Sequence, residues 1–286
     1  MHFSRGILAA MATKAKKKGP KTLSPADIPV VILCGGRGSR LKEETEVIPK
    51  PLVPVGDKPI LWHIMKIYYA QGYRNFILLL GYKGSKIKEY FCNYMQYTSD
   101  FTLEPGEGGA TARYHSKPAE NWRITFIETG LDTQTGGRLK KAEKYIKTPV
   151  FMLTYGDGVA DVDLAKLLKT HRSKKRLVTM SGVIPPGRFG EVLREKGDVI
   201  AFNEKPKHSD ALINGGFFSV DRRIFRELSD DPALEFEKHV LPELAKKKEL
   251  AIYAHEGFWQ CMDTIRDMEH LNAQWSSGKP PWKIWR

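Results

Sequence analysis

Residues 30–40 read VVILCGGRGSR, an apolar run of strand length that breaks at once into a glycine-rich turn. Val30 to Leu33 are apolar without interruption, which suits a strand buried on both faces. Cys34-Gly35-Gly36-Arg37-Gly38-Ser39-Arg40 then reads as a turn, because its glycines contribute backbone freedom in place of side-chain packing. A strand running into glycines exposes backbone N–H groups in a concave bend, and phosphate can approach them with no side chain in the way. The bend is not a Walker loop, since no Gly-Lys-Ser/Thr ends it, and it lacks the final glycine of the dinucleotide fingerprint. From the glycines alone, an ordinary strand-to-helix turn reads the same way.

Outward from this stretch, short apolar runs alternate with amphipathic ones, the pattern of a mostly parallel sheet covered by helices. Pro59 opens a helix in which Leu61, Ile64, Met65 and Tyr68 recur at helical spacing until Gly72 stops it. His63, inside that apolar helix, is read as a packing residue. Further strands are expected at residues 76–80, 124–127, 150–154, 178–184, 199–202, 217–220 and 250–254, with a glycine-rich loop at 105–109. The strand at 150–154 ends in Tyr155-Gly156-Asp157-Gly158, which places Asp157 at a carboxyl edge, where open α/β sheets bind ligands. The expected fold class is α/β, a Rossmann-like, mostly parallel mixed sheet flanked by helices, with a smaller β-rich portion in the second half. No repeat or linker divides the chain, so one domain is expected over residues 29–286, with halves at about 29–160 and 161–286.

With 286 residues, 41% of them hydrophobic, the chain can bury a full core. Cys34, Cys92 and Cys261 form no CxxC pair and are odd in number, which argues against a disulfide framework or a thiolate zinc site and for a reducing cytoplasm. The net charge of +13 is spread along the chain, which suits anionic small substrates. It does not form the aromatic-interleaved basic run of a nucleic-acid surface, so no nucleic-acid partner is expected. No apolar stretch approaches the roughly 20 residues that span a bilayer, so no membrane partner is expected either. Residues 1–28 carry Arg5, Lys14, Lys16, Lys17, Lys18 and Lys21 against one acid, Asp27, and read as a disordered basic tail. Met11 offers an alternative start, and a cleaved targeting peptide is the competing reading of the same residues.

Arg40 closes the glycine turn, and Ile48-Pro49-Lys50-Pro51-Leu52 follows a short loop later. Arginine offers a planar fork and lysine a point charge to the same phosphates. Both are also common as solvated surface charges, but Lys50 is held between two prolines, which restrict its backbone. Asp157, flanked by glycines, either caps a turn or binds a cation. Asp263 either caps the helix starting near Thr264 or does the same. Capping alone does not explain why both carboxylates fall beside strand ends.

VILCGGRGSRL together with PKPLVPV resembles the signature of the sugar-phosphate nucleotidyltransferases, and the likeness is to their cytidylyltransferase branch. It continues through PILWHIMKIY, TGGRLK, TYGDGVADVD, IPPGRFG, NEKPK, INGGFF, GFWQCMDTIRD and PPWKIW, and so runs from Val30 almost to the end. The resemblance implies a transferase that joins CTP to glucose 1-phosphate with Mg²⁺ as cofactor, giving CDP-glucose and pyrophosphate in one direct displacement. It implies that Gly35 and Gly36 face the base and that Ser39, Arg40 and Lys50 hold the triphosphate. Asp157 and Asp263 would bind the metal. Gly190, Glu204, Lys205, Asn214 and Gly215 would grip the sugar and its phosphate, though Lys205 and Asn214 also read as turn residues. Arg138 resembles a residue that reaches a triphosphate held mainly by a neighbouring subunit, which implies a homo-oligomer, a hexamer being the expected form. The same reaction with dTTP, UTP or another sugar 1-phosphate, and a non-catalytic nucleotide-sugar-binding regulator, are the alternatives. Three features depart from the family: Ser39 replaces the usual threonine, the basic tail is extra, and residues 103–121 differ from the usual connection.

Overall fold

Val30–Cys34 (β1) is buried at every position, as its apolar run requires. Later in the chain come Asn75–Leu80 (β2), Arg123–Glu128 (β3), Val150–Tyr155 (β4), Val178–Val183 (β5), Ile213–Asp221 (β6) and Leu250–His255 (β7). These join in one seven-stranded sheet in the order β7-β5-β6-β4-β1-β2-β3. The residues described by this computed structural model are 23–106, 109–185, 191–195, 198–203 and 212–285. β1 runs parallel to both neighbours, with Val31 opposite Ile77 of β2 and Leu153 of β4. β3 lies parallel to β2, and β7 parallel to β5. β6 runs antiparallel to β4 and β5, which makes the sheet mixed and joins the two halves of the chain.

Alternation along β1 divides the interior in two. Val30, Ile32 and Cys34 point into one apolar core, Val31 and Leu33 into the other. Helices Ile60–Ala70 (α1), Gly84–Cys92 (α2), Thr135–Lys141 (α3), Leu164–Lys174 (α4) and Ile265–Ser276 (α5) cover the faces. α1, α2, α4 and α5 contribute to the first core, and Leu139 of α3 to the second. Each fully buried side chain such as Ile64, Phe76 or Leu78 is worth about 1.5–3 kcal/mol of transfer free energy.

α1 is buried almost all round, because the tryptophan-rich end of the chain packs on the side away from the sheet. His63 lies between these layers, fully buried, with its ring edge-on to Trp62 and Trp275. Its Nε2 donates to the Val55 carbonyl at 2.8 Å, and its Nδ1 accepts from the Trp282 indole at 3.4 Å. The packing role expected of His63 is the observed one.

Two features depart from the sequence reading. Of the tail expected over residues 1–28, residues 1–22 lie outside the described residues, but 23–28 belong to the fold. Pro25–Asp27 forms a 3-10 turn, Ile28 is fully buried, and the Ala26 carbonyl accepts from the Asn75 amide at 2.7 Å. Leu23 and Ile28 anchor this segment, an effect that the basic composition of the whole tail conceals. The glycine-rich loop near 105–109 joins an exposed hairpin of Phe101–Glu104 and Thr111–Tyr114, whose strands lack the buried alternate face that periodicity detects.

His171 of α4 is buried like His63, with Nδ1 3.0 Å from the Thr179 hydroxyl. Burial pushes both rings down to about 4, from the ordinary histidine value of 6.5. Between these values the unfolded chain binds more protons than the folded one. Stability from the neutral rings is therefore complete above pH 6.5 and is lost as pH falls toward 4, by about 3 kcal/mol per ring at most. Melting followed by circular dichroism from pH 7.5 to 5 should show a falling midpoint, with a smaller fall in a His63→Gln, His171→Gln double variant. Equal slopes in the two proteins would assign the effect to other groups.

Candidate active site

β1 has β4 on one side and β2 on the other, so the segments leaving their carboxyl ends diverge and open a crevice. The crevice encloses about 340 Å³. Gly35, Gly36, Ser39, Arg40, Lys50, Arg138 and Asp157 all line it, so seven of the sequence-predicted residues meet at one sheet edge.

Lys50 forms the centre of its charge. Pro49 precedes a 3-10 turn over Lys50–Leu52 and Pro51 is buried, so the backbone is held and the side chain extends into the crevice. Its Nζ donates to Asp157 Oδ2 at 2.6 Å and to Asp263 Oδ1 at 2.7 Å. Arg40, exposed on the rim, donates to Asp263 Oδ2 at 2.7 Å. Burial works against the Lys50 ammonium, but Asp157 and Asp263 outweigh it and hold Lys50 above the ordinary lysine range. Burial likewise works against the Asp263 carboxylate, and Lys50 with Arg40 outweighs it, so Asp263 ionises below the ordinary aspartate range.

A short antiparallel ribbon brings the two aspartates together. Gly158–Ala160 pairs with Trp259–Cys261, and the Met262 N–H donates to the Asp157 carbonyl at 2.8 Å. Helix α5 does not use Asp263 as its cap. Thr264 caps it in a reciprocal capping box with Asp267, which leaves the Asp263 carboxylate free for the cations.

Arg138 lines the crevice. It is 4% exposed, and its guanidinium donates within its own chain to the carbonyls of Leu80, Gly130, Leu131 and Gly35 and to the Thr129 hydroxyl. It therefore ties together the segments that follow β1, β2 and β3. A Cβ on Gly35 or Gly81 would collide with this guanidinium, which accounts for glycine at both positions.

Asn214 and Gly215 line a smaller cavity of about 40 Å³ that shares Tyr155 and Asp157 with the main crevice. Gly190, Glu204 and Lys205 lie outside the described residues. Sequence reasoning missed Tyr155, Thr135 and Trp259. Tyr155 directly precedes Gly156-Asp157-Gly158, which could have marked it, whereas Trp259 is brought in by the ribbon and carries no local signal.

A mixed α/β sheet with a crevice beyond its strand ends, lined by glycines, Arg40, Lys50 and Asp157, with Asp263 bonded to both of these cations, has the make-up of a transferase of activated phosphates. The nucleotidyl transferase family model matches residues 29–277, and the chain belongs to that family. It is 46% identical over 256 residues to the glucose-1-phosphate cytidylyltransferase of Salmonella typhi, covering 89% of this chain and 98% of that one. It is 32% identical to the D-glycero-alpha-D-manno-heptose 1-phosphate guanylyltransferase of Campylobacter jejuni, covering 80% and 91%. The crystal structure of HddC from Yersinia pseudotuberculosis shares the fold, with a TM-score of 0.63 at 24% identity, covering 87% of this chain and 99% of that one.

Gly35 and Gly36 should separate under substitution. Gly35→Ala displaces the Arg138 guanidinium and should cost about 1–3 kcal/mol, whereas Gly36→Ala meets nothing within 4 Å and should stay within about 0.5 kcal/mol of the parent. Urea unfolding of the two variants checks this, and equal losses would refute the wedge role of Gly35.

Proposed function

We propose that the chain transfers a cytidylyl group from CTP to α-D-glucose 1-phosphate, giving CDP-glucose and pyrophosphate. The observation that carries the reading is the convergence of Lys50, Arg40, Asp157 and Asp263 at the end of β1, in a chain 46% identical to a glucose-1-phosphate cytidylyltransferase along nearly its whole length.

A sugar phosphate has its second pKa near 6, so its attacking oxygen is already anionic at neutral pH and needs no enzymic base. What opposes reaction is repulsion between two anions. Arg40 and Lys50 offset it from one wall of the crevice, and Lys205 is assigned the same task from the sugar side. The glycine turn admits the nucleotide at Gly36, where even a Cβ would meet nothing within 4 Å, and Asn214 with Gly215 contacts the sugar beside the crevice. Holding both substrates in line supplies much of the remaining acceleration. The reaction is one direct displacement with no covalent enzyme intermediate.

The donor set fits a magnesium ion. Asp157 and Asp263 already converge on one cationic atom, Lys50 Nζ, and Mg²⁺ is commonly held by one or two carboxylates with phosphates and waters completing its shell. Among the described residues no group of three or more His, Cys, Asp or Glu that could hold a metal ion is present. When bound, Mg²⁺ supplies charge neutralisation at the triphosphate. We assign the enzyme to the cytoplasm and to a homo-oligomer, which light scattering can test. Among the described residues no helix is long and apolar enough to cross a membrane.

Glucose 1-phosphate offered with CTP, UTP, dTTP and GTP in turn, with Mg²⁺ and pyrophosphate detection, should give the highest kcat/KM with CTP. Preference for another nucleotide would overturn the choice of base. Asp157→Asn and Asp263→Asn should each lower kcat about 100-fold or more while the melting midpoint stays near that of the parent. Near-normal turnover of both variants at limiting Mg²⁺ would remove the metal assignment.

A further inference from the structure

Behind the crevice, a chain of hydrogen bonds joins its nucleotide-facing and sugar-facing sides. It centres on Glu237, which lies in a π-helical turn at Phe236–Val240. Thr135, the first residue of α3, donates from Oγ1 to Glu237 Oε2 at 2.6 Å. Tyr155, the last residue of β4, donates from its hydroxyl to Glu237 Oε1 at 2.6 Å. The Tyr155 oxygen in turn accepts from Asn214 Nδ2 at 3.1 Å, and Asn214 Oδ1 accepts from the Gly216 N–H at 2.9 Å.

The direction of these bonds is dictated by chemistry. An ionised carboxylate only accepts, so both hydroxyls must point their protons at Glu237. Once the Tyr155 proton is committed, only its lone pairs face Asn214, and the Asn214 amide has to present its NH₂ there. Its carbonyl oxygen is then left for Gly216, whose backbone φ of +78° brings the N–H round to meet it. Burial and the Glu237 carboxylate both push the Tyr155 phenol upward in pKa, so it remains a donor at every working pH.

The anchor is rigid. The Phe236 N–H donates to the Thr135 hydroxyl at 2.8 Å, and the Leu234 carbonyl accepts from Gly136 and Gly137 at 2.9 and 3.1 Å. A Cβ on Gly136 would meet Leu234 at 2.8 Å, and one on Gly137 would meet the Asp231 carbonyl at 2.9 Å. The glycines of TGGRL thus serve the docking of residues 231–237 against α3. No motif in the sequence marks Glu237, and it touches neither cavity's predicted binding residues except through Tyr155 and Thr135.

We propose that Glu237 is a positioning residue for the sugar-phosphate half of the site, acting through Tyr155 to fix the orientation of the Asn214 amide. The proposal rests on the transferase reading above, in which Asn214 contacts the sugar. Glu237→Gln keeps the size of the side chain but can donate as well as accept, so the bond directions are no longer enforced. Tyr155→Phe removes the link and keeps the ring.

The test is steady-state kinetics of the parent, both single variants and the double variant, with CTP and glucose 1-phosphate varied separately and pyrophosphate detected. Each single variant should raise the KM for glucose 1-phosphate about tenfold, the worth of one oriented hydrogen bond, and leave the KM for CTP within about twofold. The double variant should be no worse than the worse single one, because both break the same chain. A parallel rise in both KM values, additive effects, or an unchanged KM for glucose 1-phosphate would each overturn the proposal. Should Glu237→Gln fail to fold by circular dichroism, Tyr155→Phe alone carries the same KM criterion. A parent enzyme that uses a different nucleotide or sugar phosphate would refute the substrate reading, and the KM split would then be measured on the pair it does use.

Discussion

A parallel strand buried on both faces has no place for a polar side chain, so whatever chemistry such a strand supports must lie beyond its end. β1 is in that position, with β2 and β4 hydrogen-bonded on either side and an apolar core on each face. The segment leaving β1 and the segment leaving β4 therefore separate at the carboxyl edge, and the crevice between them is a consequence of the strand order. Glycine at 35 leaves room beside the turn for the Arg138 guanidinium, and the fixed ends of the strands give the crevice walls a rigid base.

Two buried or half-buried cations then hold the walls together, each in its own way. Lys50 spans three segments through charge, joining residues 107 and 213 positions away in sequence. A single ammonium between two carboxylates leaves a net charge of −1, and Arg40 on Asp263 brings the group of four to neutrality. Arg138 spans three segments through geometry, using its planar fork to satisfy carbonyls that leave the ends of β1, β2 and β3. In the proposed reaction the first cation would change partners when a phosphate arrives. The second is engaged with carbonyls of the scaffold and is better suited to setting the shape of the glycine turn.

The side of the site proposed to take the sugar is built on different principles. Its described part rests on β6, the antiparallel strand, and on a hydrogen-bond chain whose direction is imposed by Glu237 and passed on by Tyr155. Trp259 closes the same region from the short ribbon, donating its indole N–H to the Gly215 carbonyl at 2.7 Å. Shape and bond direction position this half of the site, where opposite charges position the other.

The central strands, α1, the packing role of His63 and the crevice residues Gly35, Arg40, Lys50 and Asp157 were all legible in the sequence. Local signals report on them: unbroken apolar runs, helical spacing, and motifs in which the functional residue sits within a few positions of the strand that carries it. The sequence by itself also determined the family, because its motifs recur in order over nearly the whole chain. Tertiary structure alone decided which partners the charged groups choose. Asp263 faces Lys50 because Thr264 and Asp267 take over the helix cap, Arg138 turns into its own chain because strand ends leave carbonyls there, and Glu237 reaches Tyr155 from 82 residues away. Such choices depend on distances between segments that are remote in sequence. Periodicity, composition and local motifs describe each segment separately, and the energy of a hydrogen bond or an ion pair is settled only once the fold has brought its two ends within about 3 Å.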